Sequence, residues 1–141
     1  MRDLMLVDDE PLVLRSLERS FRRKDDCSVE TYTNPEEALN RLQTKTFDVI
    51  ISDYRMPGMT GTEFLRAARE LQPRAVRLIL SGQADQQALV HAINEAHIFR
   101  FLDKPWDEAT LDAALQDAYA ERDRLMEENL LAGRYRREQG L

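Results

Sequence analysis

Three carboxylates follow two short apolar runs of the sequence. Asp8 and Asp9 come directly after Leu4–Val7, and Asp53 follows Val49–Ile51 after one serine. Carboxylates that are brought together repel one another and raise the pKa of at least one member, and a divalent cation relieves that repulsion. Because no histidine or cysteine stands near them in the sequence, these oxygen ligands favour a hard ion such as Mg²⁺, or Mn²⁺.

Two further apolar runs end in groups that bind phosphate oxygens. Ser81 and Gly82 follow one run, and Lys104 comes two residues after Ile98–Leu102. A metal, a cation, a hydroxyl donor and an acceptor are the components of phosphoryl transfer. A carboxylate can be the acceptor, which forms an aspartyl phosphate. Asp53 stands alone after its run, between the metal side and the lysine side, so it is the predicted acceptor.

These side chains need a sheet that brings the ends of its strands to one edge. Short apolar runs alternate with helical patterns five times, which predicts a parallel sheet with helices on both faces. The expected α/β fold is doubly wound and flavodoxin-like, with strand order 2-1-3-4-5. Ligands of such sheets bind at the carboxyl ends of the strands. The predicted strands lie at 4–7, 28–33, 47–51, 75–80 and 98–102, and the helices begin near 11, 35, 63, 84 and 107.

Four segments of the chain resemble the receiver domain of two-component response regulators. The resemblance covers roughly residues 3–120, and the order and spacing of its motifs make it specific. The matching segments are Val7–Glu10, Ile51–Gly61, Leu80–Gly82 and Phe101–Pro105. The fold that this family implies is the same five-stranded receiver fold.

The resemblance implies a role for each of the polar positions. Asp53 is implied as the phosphoacceptor, which receives its phosphoryl group from a sensor histidine kinase or a phosphotransfer protein. Lys104 is implied to bind the phosphoryl group, and its bond to Pro105 is expected to be cis. Ser81 is the implied switch hydroxyl and Phe101 the switch aromatic. The implied ligands of Mg²⁺ are Asp8, Asp9, Asp53 and the main-chain carbonyl of Arg55.

Phosphorylation is expected to change one face of the domain. Ser81 would move to bond a phosphoryl oxygen, and Phe101 would fill the vacated space. The helix at 84–96, the fifth strand and the last helix would then present a changed face to an output domain, a partner or a second copy. By the same resemblance, Arg55 and Gln83 tune hydrolysis of the aspartyl phosphate. Arg55 is open to two interpretations, a shield against water or an exposed loop arginine.

The last helix is predicted to run past the sheet to about Leu131, because no proline follows Pro105. It has two interpretations, an ordinary fifth helix with a frayed end, or a signalling helix. A signalling helix would form a dimeric coiled coil or lead to an output domain beyond Leu141. The predicted division is a receiver domain at 1–120 and a helical extension at 121–141.

Composition excludes several other classes of protein. The 141 residues suit one domain, and the single cysteine excludes a disulfide framework. The longest apolar run has four residues, so neither a membrane span nor a signal peptide is expected, and the predicted location is the cytoplasm. The net charge of −6 argues against direct binding of nucleic acid.

Three alternative functions fit parts of the pattern. A haloacid-dehalogenase-type phosphatase also uses an aspartyl phosphate, but its nucleophile follows the first strand in an Asp-x-Asp pattern, where this chain has Asp8-Asp9-Glu10. A flavodoxin-like flavin binder needs hydroxyls rather than acids at that position. A pseudo-receiver would act as a docking module without phosphorylation. None of these accounts for the whole set, and no enzyme activity is expected beyond self-phosphorylation and autodephosphorylation.

Overall fold

Five parallel strands form one sheet in the order β2-β1-β3-β4-β5, which confirms the predicted topology. The computed structural model describes residues 1–22, 27–82, 85, 89–90 and 94–139. The strands are β1 (Arg2–Val7), β2 (Cys27–Tyr32), β3 (Val49–Asp53), β4 (Val76–Ser81) and β5 (Arg100–Asp103). The helices are α1 (Pro11–Arg22), α2 (Pro35–Leu42), α3 (Gly61–Leu71) and α4 (Glu108–Glu138).

The central strands are buried on both faces, as their continuous apolar runs predict. Side chains alternate along each strand, so Leu4 and Leu6 of β1 pack with α1 and α4, whereas Met5 packs with α2 and α3. β2 lies at one edge and is half-buried along its whole length. This layering brings the carboxyl ends of β1, β3, β4 and β5 to one edge of the sheet.

Several predicted boundaries differ from the structure. β5 begins at Arg100 rather than at Ile98, and β2 ends at Tyr32 rather than at Thr33. The last helix continues seven residues beyond Leu131, to Glu138. Within it, Arg124 pairs with Glu121 and Glu128, and such pairs support an exposed helix. Most of the helix predicted at 84–96, and Gln83, lie outside the described residues.

The long helix α4 is held to the amino end of the sheet. Buried Arg122 donates to Asp48 at 3.2 Å and to the carbonyl of Arg74 at 2.8 Å. Arg2 of β1 donates hydrogen bonds to both carboxylate oxygens of Asp123, at 2.7 and 2.8 Å. The predicted boundary at residue 120 therefore falls inside a helix, and this helix contacts the sheet both before and after that residue. The division of the chain at residue 120 stays a prediction. None of the described helices is long and apolar enough to cross a membrane.

A cluster of charges ties the edge strand β2 to α2. Glu30 accepts hydrogen bonds from Arg41 at 2.9 and 3.2 Å, from Lys45 at 2.9 Å and from the Tyr32 hydroxyl at 2.8 Å. The bonds from Arg41, followed by those from Lys45 and Tyr32, lower the pKa of Glu30 to about 2, against the opposing effect of burial. The ionised carboxylate therefore stabilises the folded state.

Replacement of Glu30 by glutamine should lower stability in a pH-dependent way. Because its folded pKa of about 2 lies below the ordinary 4.5, the contribution is present above pH 4.5 and is lost as pH falls toward 2. Glu30→Gln should lower the free energy of unfolding by about 1–2 kcal/mol at pH 7, after allowance for solvent screening. Urea titrations of both proteins, repeated at decreasing pH, measure the difference in their free energies of unfolding.

The exposed Glu70 of α3 provides the control, because Glu70→Gln should leave the free energy of unfolding within about 0.5 kcal/mol of wild type at every pH. A gap between wild type and Glu30→Gln that stays constant down to pH 2 would contradict the role given to the ionised carboxylate.

Candidate functional site

Three carboxylates meet where β1 and β3 end side by side. Asp8 and Asp9 follow β1, Asp53 ends β3, and the register pairs Val7 with Ser52. One oxygen from each of the three carboxylates lies within 4.8 Å of the others. Asp8 is fully buried and Asp53 is 6% exposed. Among the residues the structure describes, this is the one cluster of three or more such groups, and it contains all three side chains predicted to bind a metal.

Lys104 joins the cluster from the end of β5. Its Nζ lies 2.9 Å from Asp8 Oδ2 and 3.0 Å from Asp53 Oδ1. Its backbone N–H donates to the carbonyl of Ser81 at 3.0 Å, which fixes the start of the loop after β5 beside β4. The bond from Lys104 to Pro105 is cis, which confirms the expectation from the sequence. One ammonium group therefore bridges the acid that follows β1 and the acid that ends β3.

Burial and the neighbouring charges act on both partners of this contact. Burial raises the pKa of Asp53, the hydrogen bond from Lys104 opposes that rise, and the charges of Asp8 and Asp9 add to it. Burial by itself would lower the pKa of Lys104, but its hydrogen bonds to Asp8 and Asp53 outweigh that effect and raise it. The ammonium group is therefore held charged next to a partly desolvated carboxylate.

The cluster fits a hard divalent cation by its charge and by its donor atoms. Three carboxylates against one ammonium group leave two formal negative charges. All of the available ligand atoms are oxygens, which Mg²⁺ prefers. The main-chain carbonyl of Arg55, also predicted as a ligand, stays a prediction.

The two predicted switch residues lie on neighbouring strands. Ser81 ends β4 and is buried, and β4 pairs with β3 so that Leu80 lies opposite Asp53. Phe101 lies on the edge strand β5, opposite Ile79, and is 36% exposed. In this structure the aromatic side chain therefore does not fill the interior beside Ser81, which leaves its role as a switch a prediction.

Gly61 is a structural requirement of the site that the sequence analysis did not identify. Its N–H donates to the carbonyl of Tyr54 at 2.7 Å, and a Cβ at Gly61 would lie 2.1 Å from the carbonyl oxygen of Asp53. Any side chain would push away the backbone that carries Asp53. Thr60 caps α3, since its hydroxyl accepts the N–H of Glu63 at 3.2 Å. The glycine that ends the second matching segment, Ile51–Gly61, was the available signal.

Asp85 is a second residue that the sequence analysis missed. Its Oδ1 accepts a hydrogen bond from Arg55 Nε at 2.6 Å, and Arg55 Nη2 lies 2.5 Å from the same oxygen in an ion pair. The Asp85 side chain is 8% exposed and that of Arg55 73%. Arg55 therefore has a specific partner, which neither of its two interpretations included. No sequence signal marked Asp85, because it stands among the residues predicted to begin the helix at 84–96.

The family follows from a comparison with known sequences. A family model described as the response regulator receiver domain matches residues 4–116. The chain belongs to this family. The receiver domain is also 37% identical over 103 residues, 73% of this chain, to the hydrogenase transcriptional regulatory protein HoxA of Cupriavidus necator. It is 35% identical over 102 residues, 72% of this chain, to the DNA-binding transcriptional regulator NtrC of Klebsiella pneumoniae.

A solved structure shares the fold of this receiver domain over nearly its whole length. The structure is described as adenylate cyclase from Rhodopirellula baltica, and it is similar with a TM-score of 0.87 and 34% identity. The match covers 94% of this chain and 97% of that one. By contrast, the receiver domain spans 21% of the length of HoxA and of NtrC. It therefore matches about a fifth of the length of these two transcriptional regulators.

Proposed function

We propose that Asp53 of this receiver domain is phosphorylated by a sensor histidine kinase or a phosphotransfer protein. The observation that carries the proposal is the bridge of Lys104 Nζ to Asp53 at 3.0 Å and to Asp8 at 2.9 Å. An ion pair with a purely structural role needs one carboxylate. The Lys104 ammonium group contacts two, which follow different strands, and it does so at the edge where ligands of such sheets bind. The presence of Lys104 together with Asp8 and Asp53 also argues against a pseudo-receiver, because a docking module that is not phosphorylated needs neither the lysine nor the paired acids.

The reaction is a transfer from a phosphohistidine to the Asp53 carboxylate. A carboxylate oxygen of Asp53 forms a bond to phosphorus while the P–N bond of the donor breaks. The electron pair of that bond stays on the ring nitrogen, and histidine leaves as neutral imidazole, with the proton on its other nitrogen. Lys104 lies within reach of Asp53 and supplies positive charge to the phosphoryl oxygens as negative charge develops on them.

Asp8, Asp9 and Asp53 are the side chains that would hold Mg²⁺, and Mn²⁺ would suit the same oxygen donors. When bound, the metal would neutralise negative charge shared by the acids and the phosphoryl group. The N–H of Glu10 donates to Asp8 Oδ1 at 2.9 Å, which orients one of these carboxylates. We propose no turnover of an external substrate beyond self-phosphorylation and autodephosphorylation.

The phosphoryl group would change the face of the domain through Ser81 and Phe101. A bond from the Ser81 hydroxyl to the phosphoryl group would draw the end of β4 toward Asp53, and Phe101 would move inward from its exposed position. Coupling energies of this kind are about 1–3 kcal/mol, whereas a change from 1:99 to 99:1 needs about 5.5. We therefore expect phosphorylation alone to activate the domain in part, and a partner to complete the shift.

We propose that the recipient of the signal is an output domain of the parent protein, because the curated relatives are longer regulators of transcription. Homodimers would form through the face of residues 84–96, β5 and α4, or through the end of α4. That end carries exposed apolar side chains at Leu130, Leu131 and Tyr135. We expect a cytoplasmic location, where such kinases present their phosphohistidine, no membrane contact, and no direct binding of nucleic acid by this acidic chain.

Labelling by a small phosphodonor tests the proposal. Incubation with acetyl phosphate and Mg²⁺ should add up to one phosphoryl group per chain, as measured by intact mass. EDTA in excess of the metal should reduce the labelling rate by about 100-fold or more, because the charge on the acids is then not neutralised. Equal labelling with and without EDTA would contradict the metal site. The absence of labelling with Mg²⁺, and also with a phosphorylated kinase domain, would overturn the proposed function.

A further inference from the structure

An ion pair joins the two segments that leave the site on either side of Asp53. Arg55 lies in the segment after β3, and Asp85 in the segment after β4. Asp85 Oδ1 accepts a hydrogen bond from Arg55 Nε at 2.6 Å, and Arg55 Nη2 lies 2.5 Å from the same oxygen. The N–H of Asp85 donates to the carbonyl of Gly82 at 3.1 Å, which ties it to the end of β4. The pair thus connects two loops that are far apart in sequence.

The position of the pair follows from the register of the two strands. β3 and β4 are neighbours, with Asp53 opposite Leu80 and therefore one residue from Ser81. A phosphoryl group on Asp53 that also meets the Ser81 hydroxyl must lie at the ends of these two strands. Arg55 comes two residues after Asp53, and Asp85 comes four after Ser81. The ion pair therefore connects the two loops that border this space.

The two partners differ strongly in their exposure. The Asp85 side chain is 8% exposed, whereas that of Arg55 is 73% exposed. The carboxylate is fixed and desolvated, and the guanidinium lies on a long, solvated side chain that can change partners. A phosphoryl group carries more negative charge than a carboxylate and offers three acceptor oxygens, and guanidinium binds such groups in a bidentate manner. Two anions would therefore compete for one arginine.

We propose that Asp85 is a positioning residue that holds Arg55 away from the phosphoryl position, and that a phosphoryl group on Asp53 must draw Arg55 from this partner. The inference rests on the proposed function. Asp85 then weakens the binding of the phosphoryl group and shortens its lifetime, because Arg55 is engaged elsewhere. Removal of the charge at residue 85 should release the guanidinium and strengthen its contact with the phosphoryl oxygens.

Beryllofluoride, which mimics a phosphoryl group on a carboxylate, is the probe for this competition. Its affinity in the presence of Mg²⁺ can be followed by the fluorescence of the single tryptophan, Trp106, two residues after Lys104. Asp85→Asn should bind beryllofluoride about three- to tenfold more tightly than wild type, in line with one added charge-assisted contact. Asp85→Glu keeps the charge and should bind as wild type does. The lifetime of the aspartyl phosphate should lengthen in Asp85→Asn by a similar factor.

The double variant distinguishes positioning from a general effect of charge. In an Arg55→Ala background, Asp85→Asn should change neither the affinity nor the lifetime. Asp123→Asn is the matched control, since it breaks an ion pair with Arg2 at the opposite end of the sheet. It should leave beryllofluoride binding unchanged. Asp85→Ser also removes the charge and should give the same result as Asp85→Asn. It replaces that variant if Asp85→Asn folds poorly.

Each outcome of this experiment bears on the inference. An affinity in Asp85→Asn and Asp85→Ser that equals or falls below that of wild type overturns it. The same tightening with and without Arg55 overturns it as well, because Asp85 would then act through its own charge. A wild type that binds beryllofluoride with Mg²⁺ keeps the proposed function intact in both cases. A wild type that neither binds it nor becomes labelled overturns the proposed function and this inference together.

Discussion

Asp53→Asn should abolish labelling by acetyl phosphate, with a fall of at least about 100-fold in the rate. The carboxylate of Asp53 is the proposed nucleophile, and an amide of the same size lacks its negative charge and is a far weaker nucleophile. Asparagine should also fit the space, because it matches aspartate in shape. We therefore expect the variant to keep the melting temperature of the wild type within a few degrees while its intact mass stays unchanged after incubation.

A matched control separates the acceptor from the other acids. Asp117 pairs with Arg100 on the exposed surface of α4 and β5, at 2.6 Å. Asp117→Asn should become labelled at the wild-type rate, since neither residue contacts Asp53 or Lys104 among the described contacts. Stoichiometric labelling of Asp53→Asn would refute the assignment of the acceptor, and peptide mapping would then locate the modified residue.

Lys104→Met should slow labelling by about 100-fold while Mg²⁺ binding is retained. The ammonium group lies 3.0 Å from Asp53, so it is positioned to stabilise the negative charge that develops on the phosphoryl oxygens. Its removal also leaves the buried Asp8 and Asp53 without their common counter-ion. We expect Mg²⁺ to bind more tightly to this variant, because the metal no longer competes with the ammonium group for the same two carboxylates.

Stability should respond to the metal in the same variant. Without Mg²⁺, Lys104→Met should melt at a lower temperature than wild type, because a fully buried carboxylate has lost its partner. Added Mg²⁺ should reverse this loss. Trp106 fluorescence reports metal binding, and intact mass reports labelling.

Lys45→Met is the control for the loss of a lysine. Lys45 pairs with Glu30 at 2.9 Å, near the edge of the sheet that β2 forms. Its removal should lower stability somewhat but leave both the labelling rate and the affinity for Mg²⁺ unchanged. If Lys104→Met were labelled as fast as wild type, or if it lost Mg²⁺ binding, the proposed role of Lys104 would be wrong.

The layout of the sheet and the position of its polar edge could be predicted from the amino-acid sequence alone. Buried parallel strands need continuous apolar runs, and such a run is a local property that the sequence displays directly. The first one or two residues after each run stand at the carboxyl end of its strand, which predicts that Asp8, Asp53, Ser81 and Lys104 share one edge. The strand order followed from short connections and right-handed crossovers. The observed strand order and the family match agree with the predicted fold.

The pairing of these polar groups with one another could be read only from their three-dimensional positions. Ionic contacts depend on distances of a few ångströms between residues that are tens of positions apart, and no periodicity encodes them. The bridge of Lys104 to both Asp8 and Asp53, and the contact of Arg55 with Asp85, are of this kind. The need for glycine at residue 61 also arises from a close approach of two backbone segments. The sequence therefore specified the groups at the site, and the three-dimensional packing specified their partners.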